Sequence, residues 1–269
     1  MIGTISKTTE LLRKYDLKAK KKYGQNFLIS ATVIDKITSF ISDDMTVIEI
    51  GAGLGAISEQ LALKAKKVIA YEIDKDLYEI LSKELQFSNL MFVNEDFLKC
   101  DLSKLLNENE GKISFVSNLP YYVTSEILTK IFVNCQKVEF IEAMMQKEVA
   151  DRFLKDKADK QYSPLQLLAK YCSDVEVVSR VNRNNFIPAP SVDSVVLKFT
   201  IKQNMCDEKT RQFYQFLKDC FSHRRKSVFN NLNSAGYLFD GQRVDDLKDK
   251  RVEQLGLEDY LRIYEVIVR

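Results

Sequence analysis

The amino-acid sequence predicts an α/β fold in which a doubly wound, mainly parallel sheet precedes a small all-helical domain. Short apolar stretches with the character of buried strands occur at residues 45–50, 67–71, 90–93, 113–117 and 138–145. Stretches with helical spacing lie between them, and alternating β and α elements are typical of a parallel sheet covered by helices. From residue 204 onward only helical spacing is found, at 213–221, 238–247 and 255–268. We therefore place an α/β domain at residues 1–203 and a helical domain at residues 204–269.

The composition excludes several classes of protein. Forty Lys+Arg against 38 Asp+Glu give a formal net charge of +2, so a nucleic-acid partner has to be argued from local basic clusters. The five cysteines are widely spaced without a Cys-x-x-Cys pair, which argues against a zinc site and fits reduced cytoplasmic thiols. His223 is the only histidine, which nearly excludes a Ser-His-Asp triad or a histidine metal site. With no secretion signal and no run of about 18 apolar residues, we expect a cytoplasmic protein without membrane or metal partners.

Residues 1–22 form a basic N-terminal arm that ends in Lys20, Lys21 and Lys22. Such a run is most often a solvated, partly disordered segment. Here it leads directly into Tyr23-Gly24-Gln25-Asn26-Phe27-Leu28, whose two side-chain amides suit a segment that crosses a ligand pocket. We expect the arm to contact phosphates and the amide segment to close over a cofactor.

A glycine-rich turn follows the strand at residues 45–50. Gly51 and Gly53 stand before a helix, where glycines let the backbone approach a ligand at the helix N-terminus. With Ala56 they match the G-x-G-x-x-G/A fingerprint, which alone does not separate NAD from another adenosine-containing cofactor. Glu72 follows the next strand, about 20 residues later, and is placed to bind ribose hydroxyls. Asp96 follows the third strand and is placed to accept from an adenine amino group.

Asn118-Leu119-Pro120-Tyr121 follows the fourth strand. Pro120 makes this turn stiff, and the carboxyl edge of an open α/β sheet is where ligands bind. The Asn118 side-chain oxygen and the Leu119 carbonyl can hold an exocyclic amine while Tyr121 stacks on the base that carries it. A structural turn with Asn118 as a helix cap is the alternative that these four residues leave open.

Two more stretches are candidates for RNA contact. Phe186 lies in a proline-containing loop between two later strands, at 175–181 and 192–201, where it either reaches the active-site mouth or packs in the core. Arg224, Arg225 and Lys226 form a second basic cluster in the helical region. They either bind phosphates or form solvated surface.

Six motifs occur in the order found in one known family. They are residues 23–28, 49–53, 72–74, 118–121, 186–194 and 221–226. Together they resemble the small-subunit rRNA adenine N6,N6-dimethyltransferases, the kasugamycin-sensitivity methylases, over nearly the whole chain. The glycine loop alone is weak support, whereas the ordered set of six is specific. Two departures, Ala52 where proline is common and His223 where glutamine is frequent, touch no group assigned to catalysis.

This resemblance implies a Rossmann-like, S-adenosylmethionine-dependent methyltransferase that dimethylates two adjacent adenosines near the 3′ end of 16S rRNA, in the small ribosomal subunit. Carried over position by position, the implied cofactor-binding residues are Gln25, Asn26, Leu28, Gly51, Gly53, Glu72, Ile73, Asp96, Phe97 and Asn118. The implied catalytic turn is Asn118, Leu119, Pro120 and Tyr121. The expected RNA-contacting residues are Lys20, Lys21, Lys22, Phe186, Arg224, Arg225 and Lys226.

The chemistry of the catalytic turn agrees with this reaction. The adenine N6 amine is a poor nucleophile because its lone pair is delocalised into the ring. Hydrogen bonds from its two N–H groups to the Asn118 side-chain oxygen and the Leu119 carbonyl would localise that lone pair toward the methyl donor. Stacking on Tyr121, worth roughly 1–3 kcal/mol, would orient the base, and positioning then requires no strong general base.

Three alternatives remain. A large-subunit rRNA adenine methyltransferase of the macrolide-resistance type shares the amide segment and an Asn-x-Pro-Tyr turn. A non-catalytic ribosome assembly factor could keep the fold. An NAD-dependent dehydrogenase is supported only by the glycine loop and leaves the tyrosine turn unexplained. For the small-subunit enzyme we expect a monomer.

Overall fold

A seven-stranded sheet forms the centre of the computed structural model, which describes residues 1–155, 162–239 and 244–268. The strands in chain order are β1 (Phe27–Leu28), β2 (Met45–Ile50), β3 (Lys67–Tyr71), β4 (Leu90–Val93), β5 (Lys112–Asn118), β6 (Val138–Gln146), β7 (Ser173–Val181), β8 (Phe186–Ile187), β9 (Ser194–Ile201), β10 (Leu238–Phe239) and β11 (Ile267–Val268). The helices are α1 (Ile5–Lys14), α2 (Ala31–Ile37), α3 (Ala56–Lys64), α4 (Lys75–Glu84), α5 (Leu102–Asn107), α6 (Thr124–Phe132), α7 (Lys147–Leu154), α8 (Pro164–Cys172), α9 (Asp207–Cys220), α10 (Val228–Ser234) and α11 (Leu257–Val266).

The strand order of the large sheet is β4-β3-β2-β5-β6-β9-β7. The first five strands of this order, β4-β3-β2-β5-β6, pair in parallel. Strand β9 pairs antiparallel with both β6 and β7. The chain runs outward from β2 through β3 to β4 and then returns to place β5 on the other side of β2. This reversal opens a crevice beyond the carboxyl ends of β2 and β5, and ligands bind at such switch points in open α/β sheets. The predicted doubly wound sheet is therefore confirmed.

The sequence prediction is close for the sheet and wrong in part of the C-terminal region. Strands β2, β3 and β4 have the predicted bounds, and β5 is one residue longer at each end. The described residues of the stretch 238–247 do not form the helix that was predicted there. Leu238–Phe239 instead pairs with Ile267–Val268, and Asp245–Leu247 is a 3-10 turn. Residues 240–243 of this prediction lie outside the described residues. Val244 and Leu247 of this stretch are buried in an apolar cluster, which a 3-10 turn also permits, whereas Leu238 is exposed.

The basic arm is more ordered than its composition indicates. Its first half forms α1, capped by Thr4, and buries Ile2 and Leu11. The Ile2 amide donates to Glu59 on α3 over 2.6 Å, and the terminal amine lies 3.9 Å from the same carboxylate. The arm is thus ordered and not the solvated, partly disordered segment that is typical of such sequences, because a few apolar residues anchor it.

One apolar core joins the sheet to the C-terminal helices. The larger cluster of buried side chains includes Phe132 and Phe199 beside the sheet as well as Phe213, Phe216 and Leu217 on α9. A second cluster on the opposite face includes α2, α3 and Phe186. The helices after residue 203 thus share their core with the α/β part, and the domain division at that residue stays a prediction.

Glu142 is an exception in the apolar sheet. It lies on β6, is 1% exposed, and stands opposite Lys198 of β9. Within the described residues neither of its carboxylate oxygens has a hydrogen-bond partner. Burial raises the pKa of this carboxyl to about 8.

No helix in the described residues is long and apolar enough to cross a membrane. No group of three or more His, Cys, Asp or Glu side chains in them is arranged to hold a metal ion.

Candidate active site

Three cavities meet at Gly51, at the carboxyl ends of β2 and β5. Their volumes are about 520, 360 and 720 Å³. Asn118 and Asn26 line the first two, whereas Asp96 and Tyr122 line the third. The strand reversal therefore brings together residues that the sequence places far apart, and together these cavities form the crevice.

The glycine loop forms the floor of this crevice. Gly51 has φ +77° and Gly53 has φ +61°, a backbone conformation that glycine adopts at no steric cost. A Cβ at Gly51 would lie 3.8 Å from the Asn118 carbonyl oxygen and 3.9 Å from the Pro120 ring. A side chain here would occupy the space between the loop and the catalytic turn, so the glycine keeps the crevice open.

Glu72 holds the glycine loop through hydrogen bonds to backbone amides. Its two carboxylate oxygens accept from the backbone amides of Gly53 and Asp74, each over 2.8 Å. The residue is 4% exposed, and burial raises the pKa of its carboxyl to about 7. Each carboxylate oxygen retains a further lone pair, so Glu72 can also accept from a ribose hydroxyl, as predicted.

Glu49 adds a second buried carboxyl beneath the loop. It lines the 360 Å³ cavity, and the Ser58 hydroxyl donates to it over 2.5 Å. Burial, with a smaller contribution from the charge of Glu72, raises the pKa of the Glu49 carboxyl to about 8. Two acids therefore lie under the glycine loop where the sequence analysis assigned only Glu72.

The amide segment closes one side of the crevice. Gln25 donates through Nε2 to Asp74 over 2.7 Å, and Asn26 donates through Nδ2 to the Gly24 carbonyl over 2.9 Å. Both side chains thus shape the segment, and both residues line the 520 Å³ cavity. Their amides are largely engaged by protein groups, and their contact with a cofactor stays a prediction.

Asn118 is oriented by this segment. Its Nδ2 donates to the Asn26 backbone carbonyl over 3.2 Å. Because a carbonyl oxygen only accepts, the amide nitrogen has to face Asn26, which leaves the side-chain oxygen for another donor. Leu119 also lines the cavity, although it is only 2% exposed. Its backbone amide donates to the Met144 carbonyl over 3.1 Å. The predicted contact of the Leu119 carbonyl with the target amine stays a prediction.

Tyr121 lines the same cavity and is held at its hydroxyl. The Tyr121 hydroxyl and the Ser194 hydroxyl are 2.8 Å apart, and Ser194 is buried at the start of β9. Sequence reasoning assigned Ser194 no role, although it closes the quoted motif at 186–194. A long-range hydrogen bond of this kind has no local sequence signal.

The 720 Å³ cavity has apolar walls and an acidic edge. Exposed Ile73 and the ring of Tyr122, 54% exposed, line it beside Asp96. Tyr122 also faces Gly24, where a Cβ would lie 3.6 Å from its ring. Flat apolar walls with a carboxylate suit an adenosine group. Tyr122 was not predicted as a site residue, although it directly follows the catalytic turn.

Phe97 belongs to the core behind this cavity. Its buried ring packs edge-to-face on Tyr71 and Phe115. The Lys130 ammonium donates to the carbonyls of Phe97, Leu98 and Cys100 over 2.6–3.0 Å. Phe97 thus anchors the loop that carries Asp96 and also lines this cavity, and its part in cofactor binding stays a prediction.

Two predicted residues belong to a short strand pair. Leu28 of β1 stands opposite Phe186 of β8, and Leu28 lines the 360 Å³ cavity. Phe186 is 3% exposed and packs in the second apolar cluster. Its predicted contact with RNA is therefore wrong in this structure, because a buried ring cannot stack on a base.

The lysines of the arm that are predicted to contact RNA lie in different environments. Lys20 is bound to Asp74 and Asp76, whereas exposed Lys22 lies over the Tyr23 ring at 4.5 Å. Lys21 begins the 3-10 turn Lys21–Tyr23, and its side chain lies outside the described residues. Among the described lysine side chains of this run, Lys22 has its ammonium exposed as predicted, while the contact with RNA stays a prediction.

The second basic cluster is displayed on the surface. Arg224, Arg225 and Lys226 are exposed in the turn after α9. Buried Asn231 holds this turn by donating to the carbonyls of Cys220 and His223, over 2.7 and 3.1 Å. The cluster is thus a shaped, solvent-facing surface.

The chain is similar in sequence to known ribosomal RNA methyltransferases. The ribosomal RNA adenine dimethylase family model matches residues 16–269. The ribosomal RNA small subunit methyltransferase A of Bacillus pumilus is 37% identical over 99% of this chain and 97% of its own length. That of Mycoplasmopsis pulmonis is 41% identical over 85% of this chain and 88% of its own length.

Solved structures give the same result. A dimethyladenosine transferase from Plasmodium falciparum superposes with a TM-score of 0.70 at 26% identity, over 88% of this chain and 95% of that chain. The 23S rRNA methyltransferase ErmE has a TM-score of 0.66 at 25% identity, over 89% of this chain and 98% of that chain. With the matched family model and near full-length relatives, the chain belongs to the ribosomal RNA adenine dimethylase family.

Proposed function

We propose that this chain transfers methyl groups from S-adenosylmethionine to N6 of two adjacent adenosines near the 3′ end of 16S rRNA, giving N6,N6-dimethyladenosine during small-subunit maturation. Membership of the adenine dimethylase family supports the reaction, and relatives named small subunit methyltransferase A support the substrate. The observation that carries the mechanism is the orientation of Asn118, whose side-chain oxygen is left free to accept from the target amine.

The crevice fits the cofactor. Gly51 leaves open the space that a Cβ would take, and Glu72 retains lone pairs for ribose hydroxyls. Exposed Ile73 and Tyr122 offer apolar surface to an adenine ring. When bound, S-adenosylmethionine supplies an electrophilic methyl group on a positively charged sulfur.

The catalytic turn then acts by holding the amine. The Asn118 oxygen and the Leu119 carbonyl each accept one N6 hydrogen, which concentrates the amine lone pair on the face away from them. Tyr121, fixed at its hydroxyl by Ser194, supplies a stacking surface for the base. After transfer the nitrogen loses one proton to water, so these residues need only orientation and hydrogen-bond acceptance.

The target adenine has to leave its helix stack to reach this site, as base-modifying enzymes require. Lys22 and the cluster Arg224, Arg225 and Lys226 are exposed and positively charged, which supports contacts with rRNA phosphates. The proposal includes a cytoplasmic location and action as a monomer, since one chain supplies every residue assigned to the crevice.

The test is methyl transfer from labelled S-adenosylmethionine to undermethylated small and large ribosomal subunits, followed by nucleoside analysis. N6,N6-dimethyladenosine in small-subunit RNA alone is the expected result. Label in large-subunit RNA would favour the activity for which ErmE is named. Cofactor binding without label in either subunit would overturn the enzymatic proposal in favour of an assembly role.

A further inference from the structure

Lys20 makes contacts that its place in a basic run does not indicate. Its ammonium lies 2.6 Å from Asp74 Oδ1 and 2.6 Å from Asp76 Oδ2. Its backbone amide donates to Gln25 Oε1 over 2.8 Å, and Gln25 Nε2 donates to Asp74 Oδ2 over 2.7 Å. Lys20, Gln25 and Asp74 therefore form a closed ring of hydrogen bonds, in which both ends of the Gln25 amide are used.

This ring connects directly to the cofactor crevice. The Asp74 backbone amide donates to Glu72 Oε1, and Glu72 Oε2 accepts from the Gly53 amide, each over 2.8 Å. Two hydrogen bonds thus separate the Asp74 residue from the glycine loop. Through Gln25 the same ring fixes the amide segment that faces the crevice.

The electrostatic environment requires a cation at this point. Glu49, Glu72 and Asp74 are each less than 5% exposed, and Asp74 itself is 3% exposed. A desolvated carboxylate is costly unless it is paired and hydrogen-bonded. Among the described residues, Lys20 is the cation that forms an ion pair with Asp74.

We infer that Lys20 is a positioning residue for the cofactor: it holds Asp74, and Asp74 in turn fixes Glu72 and the amide segment. This assignment rests on the proposed function, because it concerns the crevice where S-adenosylmethionine binds. It replaces the phosphate contact that the sequence predicts for Lys20, while Lys22 keeps that role.

The first measurement is calorimetric titration of the full-length protein with S-adenosylhomocysteine, without RNA. The variants are Lys20→Gln, the charge-conserving Lys20→Arg and the neighbouring control Lys22→Gln. Lys20→Gln is expected to weaken binding about tenfold, Lys20→Arg to restore most of it, and Lys22→Gln to leave it unchanged. Because Lys20 is about one-third exposed, its replacement leaves no cavity, and the variant is expected to fold.

The pH dependence of this binding distinguishes positioning from a general loss of structure. Glu49, Asp74 and Tyr122 interact electrostatically with Glu72, and Asp96 and Tyr23 interact with Tyr122. Without Lys20 the Asp74 charge is uncompensated, which raises the pKa of the Glu72 carboxyl. Protonation of Glu72 removes an acceptor for ribose. As the pH is lowered, the affinity of Lys20→Gln for S-adenosylhomocysteine is therefore expected to begin to fall at a higher pH than that of the wild type.

The salt dependence of RNA binding completes the test. For a transcript of the 16S rRNA 3′ domain, Lys22→Gln should lower the slope of log Kd against log salt by about one, and Lys20→Gln should not. Wild-type affinity of Lys20→Gln for S-adenosylhomocysteine, or equal losses in Lys20→Gln and Lys22→Gln, would overturn the inference. If the wild type itself fails to bind S-adenosylhomocysteine, the proposed function fails instead.

Discussion

Replacing Asn118 by alanine tests the catalytic turn most directly. The variant loses the oxygen that we propose accepts from the target amine, together with the hydrogen bond to the Asn26 carbonyl. Removing one preorganised partner of a reacting group typically slows catalysis about 10²- to 10³-fold. The structural cost is much smaller, because the hydrogen bond that is lost, from Asn118 to the Asn26 carbonyl at the end of β5, is worth about 0.5–1.5 kcal/mol. We therefore expect a large loss of rate with a decrease in Tm of about 2–4 °C.

The assay is single-turnover methylation of undermethylated small subunits at saturating S-adenosylmethionine, with the Tm of each variant measured by circular dichroism. Asn89→Ala is the matched control. Its side chain donates to the carbonyls of Ala62 and Ala65, away from the crevice, so its loss should lower the Tm and leave methylation intact. A rate for Asn118→Ala within about threefold of the wild type would refute the role assigned to its side-chain oxygen.

Three further predictions concern the core, the stacking tyrosine and the RNA surface. The pKa of about 8 for Glu142 means that the folded state holds a proton that the unfolded chain releases, so stability falls as pH rises from about 5 to about 8. Glu142→Gln should flatten this fall in thermal melts, and slopes equal to the wild type would contradict it. Ser194→Ala should lower kcat about tenfold by freeing Tyr121, with unchanged affinity for S-adenosylhomocysteine; an unaltered kcat excludes that role. Charge reversal at Arg224 and Arg225 should weaken rRNA binding and reduce its salt dependence in filter-binding assays, whereas unchanged binding would identify the cluster as solvated surface.

Prediction from the sequence succeeded where the signal is local. Short apolar runs indicate β2, β3 and β4, and glycines mark the turn after β2, because these preferences act between near neighbours in the chain. It failed at Leu238–Phe239, where the backbone conformation depends on pairing with Ile267–Val268 at the end of the chain. It also left Phe186 open between two roles, and only packing between β8 and β1 decided for the core.

The fold class, the glycine loop, the turn at residues 118–121 and the family can be recognised from the sequence, since each is carried by contiguous residues or by ordered motifs. How the side chains are used depends on contacts between residues far apart in the chain. Asn118 is oriented by Asn26 across 92 positions, Tyr121 is held by Ser194 across 73, and Lys20 is paired with Asp74 across 54. A lysine in a basic run has the same local pattern whether it faces phosphate or a buried carboxylate. The difference arises from desolvation of a distant acid, which only the folded chain creates.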